Sequence, residues 1–217
     1  MATFRDLERT AYCPRQQYYH ERSETGSAPD MVERRRALAD DLDRLLADRS
    51  ARVAAPLTVD PETWVDRMAT ARERVDRFEA VLDPPETGVY LEGRDARGVV
   101  HAVLADPPEP VLVSAGSPPE TGVYDPQSVR ATAAAHALAE REGRSIDHGV
   151  VAYPAAGVIR RISVGARRRG RYREVQRTIA AMDGPPARAS ADAKCESCEF
   201  SETCGTPTRS VRSLLGL

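Results

Sequence analysis

Apolar positions recur at helical spacing through the first third of the chain and collect in short dense blocks after it. Residues 3–20 predict a helix that breaks near Pro14 and carries Phe4, Leu7, Tyr12 and Cys13. The small, polar stretch 23–29 predicts a loop. Asp30, with Glu33 three residues on, opens a helix from 31 to about 48 whose apolar side is Met31, Leu38, Leu42, Leu45 and Leu46. Arg34, Arg35 and Arg36 crowd its N-terminal end, where the helix dipole disfavours cations, so they serve either a solvated face or something outside the helix. Asp60-Pro61-Glu62 is a strong helix start, with a cap, a proline at the first position and an acid in the first turn. Trp64, Met68, Ala71, Val75, Phe78 and Leu82 follow as one stripe, the signature of core packing.

After Asp83 the texture becomes that of strands, at 89–91, 98–105 and 111–115, rich in Val and Leu and bounded by Gly, Pro and Asp. Asp125-Pro126 starts a further helix through Ala131, Ala134, Ala135 and Leu138 to Gly143. Strands at 148–153 and 158–164 and a helix over 166–182 follow, then a linker over 185–193 and a tail over 205–217. The heptapeptide Pro-Pro-Glu-Thr-Gly-Val-Tyr occurs at 84–90 and again at 118–124, a local duplication too short for a solenoid. The order of elements predicts an α/β fold with a mixed sheet and a helical N-terminal lobe.

Composition bounds this picture. At 217 residues the chain suffices for one ordinary domain, or for one with a helical appendage. The net charge of -2 does not announce a nucleic-acid binder. Lys194 is the only lysine; a GC-rich genome accounts for that bias, and it leaves arginines for bidentate phosphate contacts and no lysine elsewhere for catalysis. No stretch approaches the length of a membrane span and the N-terminus does not read as a signal peptide, so a cytoplasmic location without membrane contact is expected. There, cysteines at the spacings found argue for metal rather than disulfides.

Three of the four cysteines stand in Cys195-Glu196-Ser197-Cys198-Glu199-Phe200-Ser201-Glu202-Thr203-Cys204, a Cys-x2-Cys-x5-Cys run. The fourth lies far away, in Tyr12-Cys13-Pro14-Arg15-Gln16-Gln17-Tyr18-Tyr19. A three-plus-one set of thiolates suits a four-coordinate site, and the Cys-x2-Cys turn lets two sulfurs converge on one centre. With Cys13 as the missing ligand, such a site staples the two ends of the chain across a folded domain.

These two cysteine segments and the element order resemble the CRISPR-associated RecB-like exonucleases, iron–sulfur members of the PD-(D/E)XK nuclease superfamily, over nearly the whole chain. The resemblance implies an α/β fold with a restriction-endonuclease-like mixed-sheet core, a helical N-terminal lobe and a C-terminal cysteine cluster loop. The lobe would span 1–82 and include the first cluster ligand, the core 83–183, and the cysteine segment and tail 184–217. It further implies a 4Fe-4S cluster held by Cys13, Cys195, Cys198 and Cys204. Zinc in a tetrahedral four-thiolate site is the alternative.

The hydrolytic half of the resemblance is missing. The family places an aspartate on one strand, Glu-x-Lys on the next and a glutamine on the following helix; the acids hold a divalent metal that activates water, and the lysine steadies nucleophile and phosphate. Here His101, Leu112, Ser114 and Thr132 fall at those positions. With the sole lysine in the cysteine loop, no strand can carry Glu-x-Lys in any register. Asp95, Asp106 and Glu109 read as turn residues flanking strands; a rebuilt metal site of His101 with Asp95 or Asp106 is the alternative. Binding remains. Arg160, Arg161, Arg167, Arg168, Arg169, Arg171, Arg173 and Arg177 form a basic run with Tyr172 inside it, suited to phosphate contacts and base stacking, or else to a solvated helix face. The expectation is an iron–sulfur nuclease-fold protein without catalytic residues that binds DNA, single-stranded by the resemblance, in CRISPR adaptation or DNA repair, with CRISPR adaptation proteins as further partners. An active single-stranded DNA exonuclease using Mg2+ or Mn2+ is the rival.

Overall fold

The apolar blocks of the second half pair into one mixed sheet. Its strands are β1 (Ala2–Thr3), β2 (Glu86–Glu92), β3 (Ala96–Leu104), β4 (Glu109–Val113), β5 (His148–Tyr153) and β6 (Val158–Ser163). The computed structural model describes residues 1–23, 28–188, 192–196 and 198–204. The expected tail over 205–217, and parts of the expected loop (24–27) and linker (189–191), lie outside the described residues. β2 lines one edge of β3 antiparallel, while β1 (parallel) and β4 (antiparallel) share its other edge. β4 pairs with β5 in parallel, and β5 with β6 antiparallel. A parallel pair needs a crossover, and the long helix α8 (Asp125–Glu142) supplies it.

Helices cover both faces. On one lie α1 (Phe4–Tyr12), α8 and α9 (Ala166–Ala180), packing Phe4, Leu7, Leu138 and Val175 against Leu112, Val151 and Tyr153. Fully buried Ala131, Ala133, Ala134, Ala135 and Ala137 give α8 a surface of small side chains, which lets sheet and neighbouring helices approach it closely. On the other face lie α4 (Leu42–Ala47), α6 (Pro61–Arg74) and α7 (Phe78–Leu82), packing Leu42, Leu45, Trp64, Met68 and Phe78 against Val111, Val150, Ala152 and Ile159. Trp64 is fully buried, and its indole N–H donates to the Pro154 carbonyl at 2.7 Å. Remaining helices are α2 (Pro14–His20), α3 (Asp30–Ala37), α5 (Arg49–Ala54) and α10 (Asp192–Glu196). The architecture is α/β with a mixed sheet, as the element order predicts, and no helix among the described residues is long and apolar enough to cross a membrane.

Two expected helices are broken. The one expected over 31–48 divides into α3, a 3-10 turn at Leu38–Asp41, and α4. α3 buries none of its residues, and Met31, expected on its apolar side, is exposed; core contact begins only at Leu38. The stripe from Trp64 to Leu82 is interrupted at Val75, whose extended backbone ends α6. α7 restarts in a new phase, so Val81 rather than Leu82 completes the core. The twin heptapeptides also diverge. The first copy enters β2, whereas the second forms the approach to α8, with Gly88 and Gly122 at nearly the same positive φ, 61° and 63°. Pairing with β3, not local sequence, makes the first one a strand.

Candidate functional site

Cys13 occupies the break between α1 and α2. Its extended backbone (φ -157°, ψ 110°) caps the end of α1 and the start of α2, its N–H donates to the Arg9 carbonyl at 2.8 Å, and Pro14 begins the next helix. The C-terminal thiols come from α10 and a chain of turns, in which Cys198 N–H donates to Cys195 O (3.2 Å), Ser201 N–H to Cys198 O (3.0 Å) and Cys204 N–H to Phe200 O (2.7 Å). All four cysteines, each half-buried, line one cavity together with Tyr12 and Phe200. Among the described residues, no three His, Cys, Asp or Glu side chains are arranged to hold a single metal ion.

Arg15, two residues past Cys13, holds this assembly closed. Its Nε donates to the Cys204 sulfur at 3.0 Å, its Nη1 to the Pro186 carbonyl at 2.8 Å and its Nη2 to the Cys204 carbonyl at 3.4 Å. Tyr19 stacks on Phe200 with centroids 6.1 Å apart. Lys194 sits 4.6 Å above the Tyr12 ring and donates to the Tyr12 carbonyl at 3.1 Å, so the sole lysine serves the thiol site and no phosphate in the sheet. The thiols share one electrostatic field. Burial raises the Cys198 pKa, as do Cys13, Cys204 and Cys195, while the Phe200 N–H pulls it down. Four thiolates that repel one another can be ionised together only around a cationic centre. Four thiolates are a donor set for zinc or for an iron–sulfur group alike, and the chemistry of the set does not choose between them.

The positions matched to a hydrolytic centre hold other contacts. Leu112 lies in the core and Thr132 donates to the Ser128 carbonyl at 2.8 Å. Ser114 accepts from Gln127 at 3.1 Å. Burial lowers the His101 pKa, and the acid that opposes this is Asp40 of the 3-10 turn, 3.9 Å from Nδ1, rather than Asp95 or Asp106. Asp95 instead acts on His136 and Tyr172. Glu109 is not a turn residue. It is a strand residue 1% exposed, gripped by Arg161 through Nε at 2.9 Å and Nη2 at 2.6 Å, with Arg77 at 3.9 Å. Only the register of β4, β5 and β6 brings Glu109 to Arg161, and no local sequence signal marks it.

Most of the basic run is likewise engaged within the chain. Arg160 donates to the carbonyls of Pro119, Glu120 and Gly122, in the approach to α8. Arg168 binds Ser128 and Ser163, Arg169 pairs with Asp147 at 3.1 Å, and Arg171 pairs with Asp125 at 2.9 Å and Glu174 at 3.0 Å. Among the described residues Arg167 is exposed without such a contact, and Arg173 and Arg177 reach only backbone carbonyls of their own helix. Tyr172 cannot stack a base as expected: it is 3% exposed, lies against His136 with centroids 5.2 Å apart, and its hydroxyl accepts from Gln176. No protein-family model matches the chain, and no curated protein matches it.

Proposed function

We propose that this chain is an iron–sulfur protein of restriction-endonuclease-like fold that lacks a hydrolytic centre and binds single-stranded DNA, in the setting of CRISPR adaptation or DNA repair. The observation that carries this reading is the meeting of Cys13 with Cys195, Cys198 and Cys204 around one cavity, since the resemblance rests on those same residues. These four would hold a 4Fe-4S cluster, which when bound supplies a cross-link between chain ends. Arg15 orients Cys204, and Lys194 and Tyr12 close the side of the cavity. DNA phosphates would fall to Arg167, Arg173 and Arg177, the arginines of the run left open to solvent on α9. Hydrolysis is disfavoured by the chemistry of the matched positions: a core leucine, a buried threonine and no strand lysine.

Anaerobic purification followed by metal and sulfide analysis tests the cluster. About four iron and four sulfide per chain are expected, and colourless protein with stoichiometric zinc would overturn the assignment. On the same sample, replacing Arg167, Arg173 and Arg177 with glutamine should weaken single-stranded DNA binding and reduce its log–log salt slope by about two. Degradation of labelled single strands with Mn2+, lost in His101→Ala, would establish the active exonuclease instead.

A further inference from the structure

A crevice on the sheet face beside His101 is reached by neither the thiols nor α9. Three arginines from three helices line it: Arg5 on α1, Arg36 on α3 and Arg130 on α8. Its volume, about 690 Å3, suits a nucleotide-sized molecule rather than a bare ion.

Arg130 is the informative residue. It is 8% exposed, yet its guanidinium is held only by two long bonds from Nη1, to Glu8 Oε2 and to the Val113 carbonyl, both at 3.4 Å. Its Nε has no hydrogen-bond partner among the described residues. A guanidinium carries five donors, and one buried with so few of them matched pays desolvation without the compensating contacts that normally accompany it. Arg5 makes no side-chain hydrogen bond or ion pair with any described residue, although it is crowded enough for burial to lower its pKa. Burial lowers that of Arg130 too, and Arg36 depresses both against the pull of Glu8. The two carboxylates that line the crevice each have a partner in it, although Glu33 also acts on Arg5. Glu33 pairs with Arg36 at 2.6 Å, and Asp40 stands by His101. Two cations thus face one cavity wanting an anion, beside an apolar wall that includes exposed Val99, and Val113.

We propose that this crevice binds the terminal phosphate of a nucleotide through Arg5 and Arg130, with the nucleoside against Val99 and Val113. The phosphate can belong to a free nucleoside monophosphate or to the phosphorylated end of a strand. Charge-assisted bonds from two guanidiniums fit a doubly charged terminal phosphate better than the singly charged linkages inside a strand. The proposal depends on neither the cluster nor the α9 arginines.

Calorimetric titration of the full chain with dAMP, and with one short oligothymidylate carrying either a 5′-phosphate or a 5′-hydroxyl, tests it. Arg5 is exposed, so Arg5→Gln should keep the wild-type Tm, whereas Arg130→Met, at a buried position, can be expected to lower it. Binding of dAMP weakened about tenfold or more by Arg5→Gln supports the site. A similar preference for the 5′-phosphorylated oligonucleotide, lost in the same variant, identifies a strand end as the source; dAMP binding without that preference identifies the free nucleotide. Replacing the three α9 arginines should leave the 5′-phosphate preference unchanged, which separates this site from the general DNA surface. Wild-type protein that binds neither dAMP nor the 5′-phosphate selectively, or Arg5→Gln with unchanged affinity and Tm, overturns the proposal.

Discussion

Glu109 illustrates how a single residue can look like chemistry and act as structure. An acid at the start of a strand, close to the positions matched to a metal centre, invites a catalytic role. In the fold it is the acceptor of a bidentate bond from Arg161, with Arg77 behind it, and this joins β4 to β6 across the intervening β5. Its carboxylate is 2% exposed, while the Arg161 side chain keeps 24% exposure, so the pair is closed on one side and wet on the other. Removing one member of such a pair leaves an uncompensated charge, and the wet side softens the penalty. Glu109→Gln should therefore lower the unfolding free energy by about 3 kcal/mol, measured by urea denaturation with an unchanged m-value. A Glu109→Leu, Arg161→Met double variant should recover most of that loss, because the two changes are coupled. Unaltered stability in Glu109→Gln would show that the ion pair contributes nothing to the sheet.

At the scale of elements, what the sequence disclosed depended on whether the signal was local. The start of α6 at Asp60-Pro61-Glu62, the end of α8 at Gly143 and the break at Pro14 were all legible, because caps and prolines act within a turn. Five of the six strands are legible with shifted ends, β2 spanning Glu86–Glu92 by pairing with β3, whereas β1 (Ala2–Thr3), made a strand by parallel pairing with β3, has no signal in the sequence. Where the outcome depends on a distant partner, the signal vanished. Twin heptapeptides became a strand and a turn, and five of the arginines in the basic run became internal ties. The spacing marks Cys195, Cys198 and Cys204, and Cys13 joins them only through the resemblance, whereas neither Arg15 nor the Arg5–Arg130 crevice is legible, because both are made by elements far apart in the chain. Gly157 shows the same dependence in one position. It follows the 3-10 turn Pro154–Ala156 with φ +67°, and a Cβ there would lie 2.7 Å from the Trp64 carbonyl, whereas a Cβ at Gly122, with φ +63°, would meet nothing. Gly122→Ala should cost only the backbone preference, about 1 kcal/mol. Gly157→Ala should cost visibly more and raise solvent exposure of Trp64, read as a red shift of its fluorescence. Equal losses in the two variants would mean that the Trp64 packing tolerates displacement.

For the molecule as a whole, two layers of helix on one sheet half-bury histidines at separate places, and this gives the fold an acid sensitivity of calculable sign. His101 lies under the helical lobe beside Asp40, and His136 stacks on Tyr172 between α8 and α9 with its Nε2 buried and without a partner among the described residues. Burial lowers both pKa values, helped at His136 by Arg169 and opposed at His101 by Asp40. The unfolded chain then binds these protons more readily than the folded one below the ordinary histidine pKa of about 6.5. Their neutral forms leave stability intact above that pH, and it declines as pH falls from there toward the lowered folded values. Each histidine contributes a slope of at most about 1.4 kcal/mol per pH unit within its window. Urea titrations at pH 7.5 and 5.5 should show the drop, and His136→Phe, which keeps an aromatic ring against Tyr172, should make the profile shallower while leaving the thiol segment in place. A pH profile unchanged by that variant would remove His136 as a source of the acid sensitivity.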